Sequence, residues 1–204
     1  KVEKTEAFGL LVKVLADQIG KIINYSELSN TLGISLATLK NYLWYAENTY
    51  ILQRLTPFYK NIRNEISKSP TVYFSDPGLR NYMLGIFGSL SRPDDLGFAF
   101  QNLVFLILKE KIRFQNAKIH FWRTKSGAEI DFVIDSARKI VPVEIKYSEF
   151  TKPVVPRSFY AFIDKYAPEK CIVVNKNLKT AIEIKDREVL FLTVWDLLSE
   201  EINV

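Results

Sequence analysis

Two stretches decide the fold of the C-terminal half of the chain, Ala128-Glu-Ile-Asp-Phe-Val-Ile134 and Val141-Pro-Val-Glu-Ile-Lys146. Apolar residues occupy every second position of each stretch, which is typical of β-strands with one buried face. The positions predicted to face the core are Ala128, Ile130, Phe132, Ile134, Val141, Val143 and Ile145. The opposite faces carry the charged residues Glu129, Asp131, Glu144 and Lys146. The sequence therefore predicts one polar surface on which Asp131, Glu144 and Lys146 lie together.

These residue types suit metal-dependent phosphate chemistry. Two neighbouring carboxylates bind a hard divalent cation such as Mg²⁺, and the cation polarises a phosphate and lowers the pKa of its bound water. Lys146 follows Glu144 on the same face, where an ammonium group offsets charge on the phosphate. An amphipathic strand pair with Glu–Lys contacts on its outer face has the same pattern, so the motif alone leaves both interpretations open. The long helix before the strands, and Pro142 beside the motif, favour the metal site.

The surrounding elements predict a mixed α/β domain over residues 89–204. A helix is predicted at residues 97–112 and a further strand at residues 118–122. After the strand that contains Glu144, the pattern reads helix, strand, strand, helix. Turn-forming residues around Gly88 separate this domain from residues 1–88.

Residues 1–88 predict a helix-turn-helix with a wing. Apolar residues recur at helical spacing from Phe8 to Ile19. The residues that predict helix starts are Asn24, Ser35 and Asp76, and those that predict helix ends are Gly20 and Gly33. Two short strands, at residues 50–55 and 71–74, follow the third helix. The order of helix, helix, turn, helix and strand pair is that of a winged helix.

A winged helix presents its third helix and its wing to a partner. The nucleic-acid-binding candidates are Lys40 and Asn41 on the helix, with Arg54, Lys60, Arg63 and Lys68 in and around the wing. Such cations contact phosphates on either side of a groove, although a solvated basic loop has the same composition. The helix offers no arginine to read guanine. Trp44 and Tyr45 on the same helix would suit protein docking, so the ligand stays open between DNA and protein.

Composition limits the classes of function. The 204 residues include 28 Lys and Arg against 23 Asp and Glu, a net charge of +5 that favours phosphate contacts. The single cysteine, Cys171, lies in an apolar run and fits a reducing cytoplasm. It and the single histidine, His120, are predicted to be structural, and together they are too few for a zinc site. No apolar run is long enough to cross a membrane, and the chain has no P-loop motif for ATP.

Residues 121–134, followed by Val141-Pro-Val-Glu-Ile-Lys146, resemble the PD-(D/E)XK, or restriction-endonuclease-like, superfamily. More narrowly, the chain resembles the C-terminal region of prokaryotic AAA-superfamily ATPases, in which a P-loop ATPase module precedes a winged helix and a nuclease-like domain. Residues 73–82 and 97–104 resemble the segment that joins the last two modules and the helix after it. The resemblance implies a restriction-endonuclease-like α/β fold with a central mixed sheet flanked by helices. With the start at Lys1, it also leads us to expect an ATPase module before this segment.

The resemblance further implies roles for single residues. Asp131 and Glu144 would be ligands of Mg²⁺ or Mn²⁺, Lys146 would be the catalytic lysine, and Glu129 matches a companion acid. The leading helix of the superfamily carries a glutamate where this chain has Gln101. Gln101 is therefore an accessory candidate whose neutral amide removes one charge from the site.

Three functions follow from these observations. The first in rank is a nucleic-acid-binding, regulatory module of an AAA-type ATPase with an inactive nuclease-like domain. A Mg²⁺-dependent DNA endonuclease that uses Asp131, Glu144 and Lys146 ranks next, and a protein–protein adaptor ranks last. We expect DNA as the partner and the cytoplasm as the compartment, and the oligomeric state stays open.

Overall fold

The computed structural model describes residues 4–59, 61, 63, 65, 68–88, 93–136 and 139–199, which form a mixed α/β structure as the sequence predicts. Contacts divide the chain into two units. The first unit comprises Lys1–Thr56 and Ile66–Asn102, and the second comprises Pro57–Glu65 and Leu103–Val204. The change of unit falls inside a long helix, beyond the sequence-derived boundary between residues 88 and 89.

The helices of the first unit begin where capping side chains stand. Asn24 accepts a hydrogen bond from the Glu27 N–H at 3.2 Å, Ser35 accepts one from the Thr38 N–H at 3.1 Å, and Asp76 accepts one from the Gly78 N–H at 2.7 Å. These predicted caps are confirmed. The helices they belong to, with the first helix, are α1 (Thr5–Asp17), α2 (Tyr25–Leu32), α3 (Leu36–Asn48) and α4 (Pro77–Met83). Gly33 ends α2 with a φ of 60°, a left-handed conformation that glycine adopts without strain.

A two-stranded antiparallel sheet follows the first three helices. It consists of β1 (Leu52–Leu55) and β2 (Thr71–Phe74). The helix α5 (Pro93–Lys111) is fastened to β2 by Asn102, which is buried. The Asn102 side chain donates to the Phe74 carbonyl and accepts from the Phe74 N–H, both at 2.8 Å. One amide side chain thus satisfies both polar groups of a buried backbone unit.

The second unit is built on a six-stranded mixed sheet with the order β3-β4-β5-β6-β8-β7. The strands are β3 (Lys118–Arg123), β4 (Glu129–Asp135), β5 (Ile140–Ile145), β6 (Lys170–Asn175), β7 (Thr180–Ile184) and β8 (Arg187–Thr193). The central strands β5, β6 and β8 are parallel neighbours, and the outer pairs are antiparallel. The remaining helices are α6 (Arg157–Tyr166), between β5 and β6, and α7 (Val194–Ser199) after β8.

Helices pack on both faces of this sheet. On one face Phe105 of α5 lies 5.9 Å from Phe132, measured between ring centroids. On the other face α6 contributes Phe159 and Phe162 to a core cluster that includes Trp122 and Cys171. Cys171 is buried, as the sequence predicts, and burial raises the pKa of its thiol to about 12.

A bulge interrupts β4. The pairing with β3 advances by three residues on β4, from Ile130 to Val133, while β3 advances by two. Ile130 and Val133 consequently lie in the same core cluster, whereas Phe132 packs against α5. The prediction that Ile130 and Phe132 share one face is therefore wrong, because the extra residue of a bulge changes the direction of the side chains beside it.

The C-terminal part of the sheet has one strand more than the sequence pattern predicts. The pattern indicates two strands after α6, whereas the structure has β6, β7 and β8. The turn between β7 and β8 uses Lys185 at a φ of 48° and Asp186 at a φ of 57°. Both conformations are left-handed, as tight hairpin turns require. The turn contains no glycine or asparagine, the residues from which such a turn is usually predicted.

The segment after β1 also departs from expectation. The sequence suggested a basic loop of the wing, yet Phe58 is buried in the core of the second unit. Its N–H donates to the Phe121 carbonyl at 2.6 Å, beside a bridge from Pro57 to the same residue. Apolar burial and strand contact thus attach residues 57–65 to the second unit.

In the described part of the chain, no helix is long and apolar enough to span a bilayer.

We expect Asn102→Ala to lower the free energy of unfolding by roughly 2 to 4 kcal/mol, because it leaves a buried N–H and a buried carbonyl of Phe74 unpaired. Asn48→Ala is the matched control. Asn48 is exposed and donates only to the Trp44 carbonyl, so its removal should cost about 0.5 kcal/mol or less. Urea titration of both variants measures the difference, and equal losses would contradict the docking role of Asn102.

Candidate functional site

The ends of β4 and β5 bring Asp131 and Glu144 together. The last backbone pair between these strands joins Phe132 and Val143. Beyond it, the Ile145 N–H donates to Asp131 Oδ2 at 2.7 Å. A side chain therefore provides the acceptor that joins the two strands at the bulge. This contact holds the Asp131 carboxyl beside the strand that carries Glu144.

Glu144 is buried, with 7% of its surface exposed. Its Oε1 accepts a hydrogen bond from Lys146 Nζ at 2.7 Å. Lys146 is more exposed, and its backbone N–H donates to the Val174 carbonyl of β6 at 2.9 Å. A solvent-exposed ladder of Glu–Lys contacts does not describe this arrangement, because residues 141–145 of β5 are buried on both faces.

Burial dominates the electrostatics of the cluster. It raises the pKa of Asp131 to about 8, and the negative charge of Glu144 also raises it. The Ile145 N–H and the Lys146 ammonium act in the opposite direction. Burial also raises the pKa of Glu144, although the Lys146 ammonium and the nearby Asp131 backbone N–H oppose the change. For Lys146, burial disfavours the charged form, but Glu144, Asp131 and Glu129 outweigh it and raise the pKa. The raised pKa favours the charged form of Lys146, which suits it to offset negative charge.

One oxygen of the cluster is unpaired. Glu144 Oε2 is buried and has no hydrogen-bond partner among the residues that the structure describes. A buried carboxylate oxygen left unpaired is costly, and a divalent cation would satisfy it. The described residues contain no group of three or more His, Cys, Asp or Glu side chains that could hold a metal. Asp131 and Glu144 nevertheless fit Mg²⁺, which is commonly bound by one or two carboxylates and several waters.

The two accessory candidates take different places. Glu129 lies near the cluster, since its charge acts on Asp131, Glu144 and Lys146. It also pairs with Arg123 at 3.5 Å in a half-exposed position. Gln101 belongs to the first unit, where its amide oxygen would lie 3.0 Å from a Cβ atom built on Gly20. Gln101 thus packs against the turn after α1, and its participation in the acidic cluster stays a prediction.

A groove of about 470 Å³ in the first unit is here named the basic groove. Its lining residues are Tyr25, Lys40, Asn41, Trp44, Arg54, Lys68 and Ser69. The structure therefore brings together four of the six predicted nucleic-acid contacts. Sequence reasoning missed Tyr25 and Ser69. Tyr25 directly follows the cap of α2, but only the folded chain places that helix start beside α3.

Arg54 is less available than predicted. Its guanidinium forms an ion pair with Glu47 of α3, and Nε donates to Glu47 Oε2 at 2.9 Å. Burial alone would lower the pKa of Arg54, but Glu47 and Tyr25 reverse the effect and raise it. Arg63 is exposed on the segment that belongs to the second unit, so it lies outside the basic groove. Lys60 lies outside the described residues.

The second unit also contains a cavity of about 750 Å³ between the start of β3 and the end of α6. His120 lines it and is 3% exposed, with Nδ1 3.9 Å from Glu65 Oε1. Lys139 at the same cavity pairs with Glu169 at 3.2 Å. The burial of His120 agrees with the structural role predicted for it.

Two domain-family models match the chain. Residues 1–90 match a domain of unknown function, DUF8612, and residues 96–195 match another, DUF4143. DUF4143 is found in AAA-ATPase-associated proteins.

Similar proteins occur in three bacteria. Uncharacterized proteins of Mycobacterium bovis and Mycobacterium tuberculosis are each 28% identical over 147 residues, which is 71% of this chain and 32% of the relative. An uncharacterized protein of Haemophilus influenzae is 22% identical over 200 residues, which is 95% of this chain and 46% of the relative. The chain thus spans about a third to a half of the length of these curated relatives.

The raised pKa of Asp131 predicts a dependence of stability on pH. The native state holds the Asp131 proton more tightly than the unfolded chain, where the ordinary pKa is 3.8. Ionisation therefore opposes folding, and this group's contribution falls as the pH rises from 3.8 to about 8. Asp131→Asn keeps an acceptor for the Ile145 N–H but cannot ionise. The free energy of unfolding of the variant, relative to wild type, should rise across this interval and then level off.

Urea titrations at a series of pH values, with a chelator present, measure this relative stability. A difference between Asp131→Asn and wild type that stays constant from acidic to alkaline pH would contradict the prediction.

Proposed function

We propose that this chain binds nucleic acid through its first unit and acts as a regulatory module of a longer, ATPase-containing protein. The observation that carries the proposal is the convergence of Lys40, Asn41, Arg54 and Lys68 in the basic groove. These residues come from a helix, a strand and a loop, so their meeting does not follow from local sequence. Cations gathered in a groove favour a polyanion, because each phosphate they neutralise releases counterions.

The charge balance of the basic groove supports this ligand. Lys40 and Lys68 are exposed and have no ion-pair partner among the described residues. Glu47 offsets Arg54, which leaves the two lysines to attract phosphate. If the ligand were an uncharged protein surface, the two lysines would add little to its affinity. Charges at the rim of a protein–protein interface contribute mainly to the rate of association.

The element order supports the fold assignments that belong to this proposal. We assign the first unit to the winged helices, because three helices with a glycine turn precede an antiparallel strand pair. We assign the second unit to the restriction-endonuclease-like fold. Its mixed sheet is flanked by helices and carries Asp131 and Glu144 on adjacent strands. The occurrence of DUF4143 in AAA-ATPase-associated proteins supports the proposed ATPase partner.

A second candidate function, cleavage of a phosphodiester bond in DNA, is favoured by the buried cluster in the second unit. Asp131 and Glu144 would hold Mg²⁺ or Mn²⁺, and the unpaired Glu144 Oε2 is the strongest indication of that use. When bound, such a cation polarises a phosphate and lowers the pKa of its water.

The protein's own residues would then have separate tasks in cleavage. Glu144 supplies a buried carboxylate whose Oε1 already accepts a hydrogen bond from Lys146. Asp131 must lose its proton to become a ligand, which its raised pKa makes costly at neutral pH. Lys146 keeps its positive charge and is placed to offset charge that develops on the phosphate. Because this ionisation of Asp131 is costly, we rank nucleic-acid binding above DNA cleavage as the function of the chain.

The first test concerns affinity for nucleic acid. Lys40→Ala and Lys68→Ala should each weaken binding of labelled DNA and each lower the slope of log affinity against log salt by about one, because each removes a phosphate contact. Fluorescence anisotropy over a range of salt concentrations measures both quantities. Lys13→Ala, an exposed lysine of α1 outside the groove, is the control and should leave the slope unchanged. Equal effects of all three variants would contradict binding in the basic groove.

The second test concerns cleavage. If the second unit cuts DNA with Mg²⁺ or Mn²⁺, Glu144→Gln and Lys146→Met should each slow cleavage by about a hundredfold or more, while DNA binding by the first unit persists. Calorimetry with Mn²⁺ alone should show weaker metal binding by Glu144→Gln. The control is Glu149→Gln, whose carboxylate pairs with Lys176 on the surface. Metal-dependent cleavage that survives in Glu144→Gln would exclude this site as its source.

A further inference from the structure

Trp44 is an exposed aromatic residue among the cations of the basic groove. It lies on the same face of α3 as Lys40 and Asn41, opposite the buried residues Leu39 and Leu43. More than half of its surface, 54%, is exposed. Its ring meets the Tyr45 ring edge to face at 5.3 Å between centroids. The indole therefore has an aromatic neighbour on one side and remains accessible in the groove.

The groove has few groups that could read a base pair. Arg54, the arginine among its lining residues, is held in an ion pair by Glu47. Direct readout of a duplex commonly uses arginine, asparagine or glutamine in bidentate contacts, and Asn41 is the one other residue of these types among the described lining residues. The carboxylate of Glu47 on the same helix would also lie near the phosphates of a duplex that received α3. The polar groups thus suit contact with a backbone better than recognition of a sequence.

The shape of the groove points in the same direction. A helix that enters the major groove of DNA is a convex element that a duplex surrounds. Here the exposed side of α3 is one wall of a concavity closed by Tyr25, Arg54 and Lys68. A cavity of about 470 Å³ accommodates a ligand of small-molecule size, such as a nucleotide unit of one strand.

We infer that the basic groove binds single-stranded nucleic acid, with an unpaired base stacked on Trp44 and flanking phosphates against Lys40 and Lys68. This inference rests on the nucleic-acid binding proposed above and specifies its substrate class. Stacking on an aromatic side chain is available to every base, so the binding should show little sequence preference. Lys40 and Lys68 supply the salt-dependent part of the affinity, and Trp44 supplies the part that distinguishes an unpaired base from a paired one.

The test compares a labelled oligothymidylate with a duplex of the same length, using the full chain and fluorescence anisotropy. Wild type should prefer the single strand. Trp44→Ala should weaken single-strand affinity about tenfold or more, as expected for the loss of one stacked base, and should thereby reduce the preference for the single strand over the duplex. Trp44→Phe should keep most of the affinity, because phenylalanine retains a ring for stacking. Trp195→Ala is the matched control, since Trp195 is 78% exposed in the second unit.

A spectroscopic measurement tests stacking directly. In a Trp195→Phe background the remaining tryptophans are Trp44 and the buried Trp122. Addition of oligothymidylate should quench the fluorescence of this variant, and the quenching should vanish when Trp44→Phe is added. Circular dichroism and thermal melting of each variant verify that the fold is retained.

The outcomes separate this inference from the proposed function. If DNA binding depends on Lys40 and Lys68 but is equal for both substrates and unaffected by Trp44→Ala, nucleic-acid binding stands and the single-strand inference is overturned. If neither nucleic acid binds, both are overturned, and Trp44 would then suit docking of a protein. Quenching by oligothymidylate that persists in Trp44→Phe would also overturn stacking at this position.

Discussion

The hydrogen bond from the Ile145 N–H to the Asp131 carboxyl joins β4 and β5 where their backbone pairing stops. The bulge in β4 lies at Asp131, and a bulge changes the direction of the side chains beside it. The same contact holds the partly buried carboxyl beside the strand that carries Glu144. The hydrogen bond between Ile145 and Asp131 therefore affects both the pairing of the two strands and the ionisation of Asp131. The acidic cluster in the second unit depends on this contact.

The cost is only partly offset within the protein. Lys146 neutralises one carboxylate of the pair, yet burial and mutual repulsion still raise the pKa of Asp131 to about 8. A second positive charge at Glu144 Oε2 would favour ionisation of both acids, since an opposite charge stabilises a carboxylate. Buried acids with raised pKa values concentrate at functional sites. In the proposed metal site, binding of a cation would therefore be coupled to ionisation of the two acids.

The first unit differs from the second in its electrostatics, because it concentrates positive charge in the basic groove. Its basic groove gathers cations from separate elements, and the Glu47–Arg54 ion pair holds one of them in place while reducing the local charge. The remaining positive charge is that of Lys40 and Lys68, which line the groove together with the exposed Trp44. The affinity for nucleic acid that we propose for this groove would come from diffuse charge and stacking. The two units therefore differ in chemistry as well as in fold.

The sequence by itself determined the mixed α/β class, the caps at Asn24, Ser35 and Asp76, and the presence of two acids and a lysine on successive strands. These features depend on residues a few positions apart, which local hydrogen bonds and side-chain alternation govern. Only the tertiary structure decided the bulge at Asp131, the burial of Glu144, the pairing of Arg54 and the packing of Gln101 near Gly20. Each of these depends on partners from other elements, and local periodicity carries no information about which elements become neighbours.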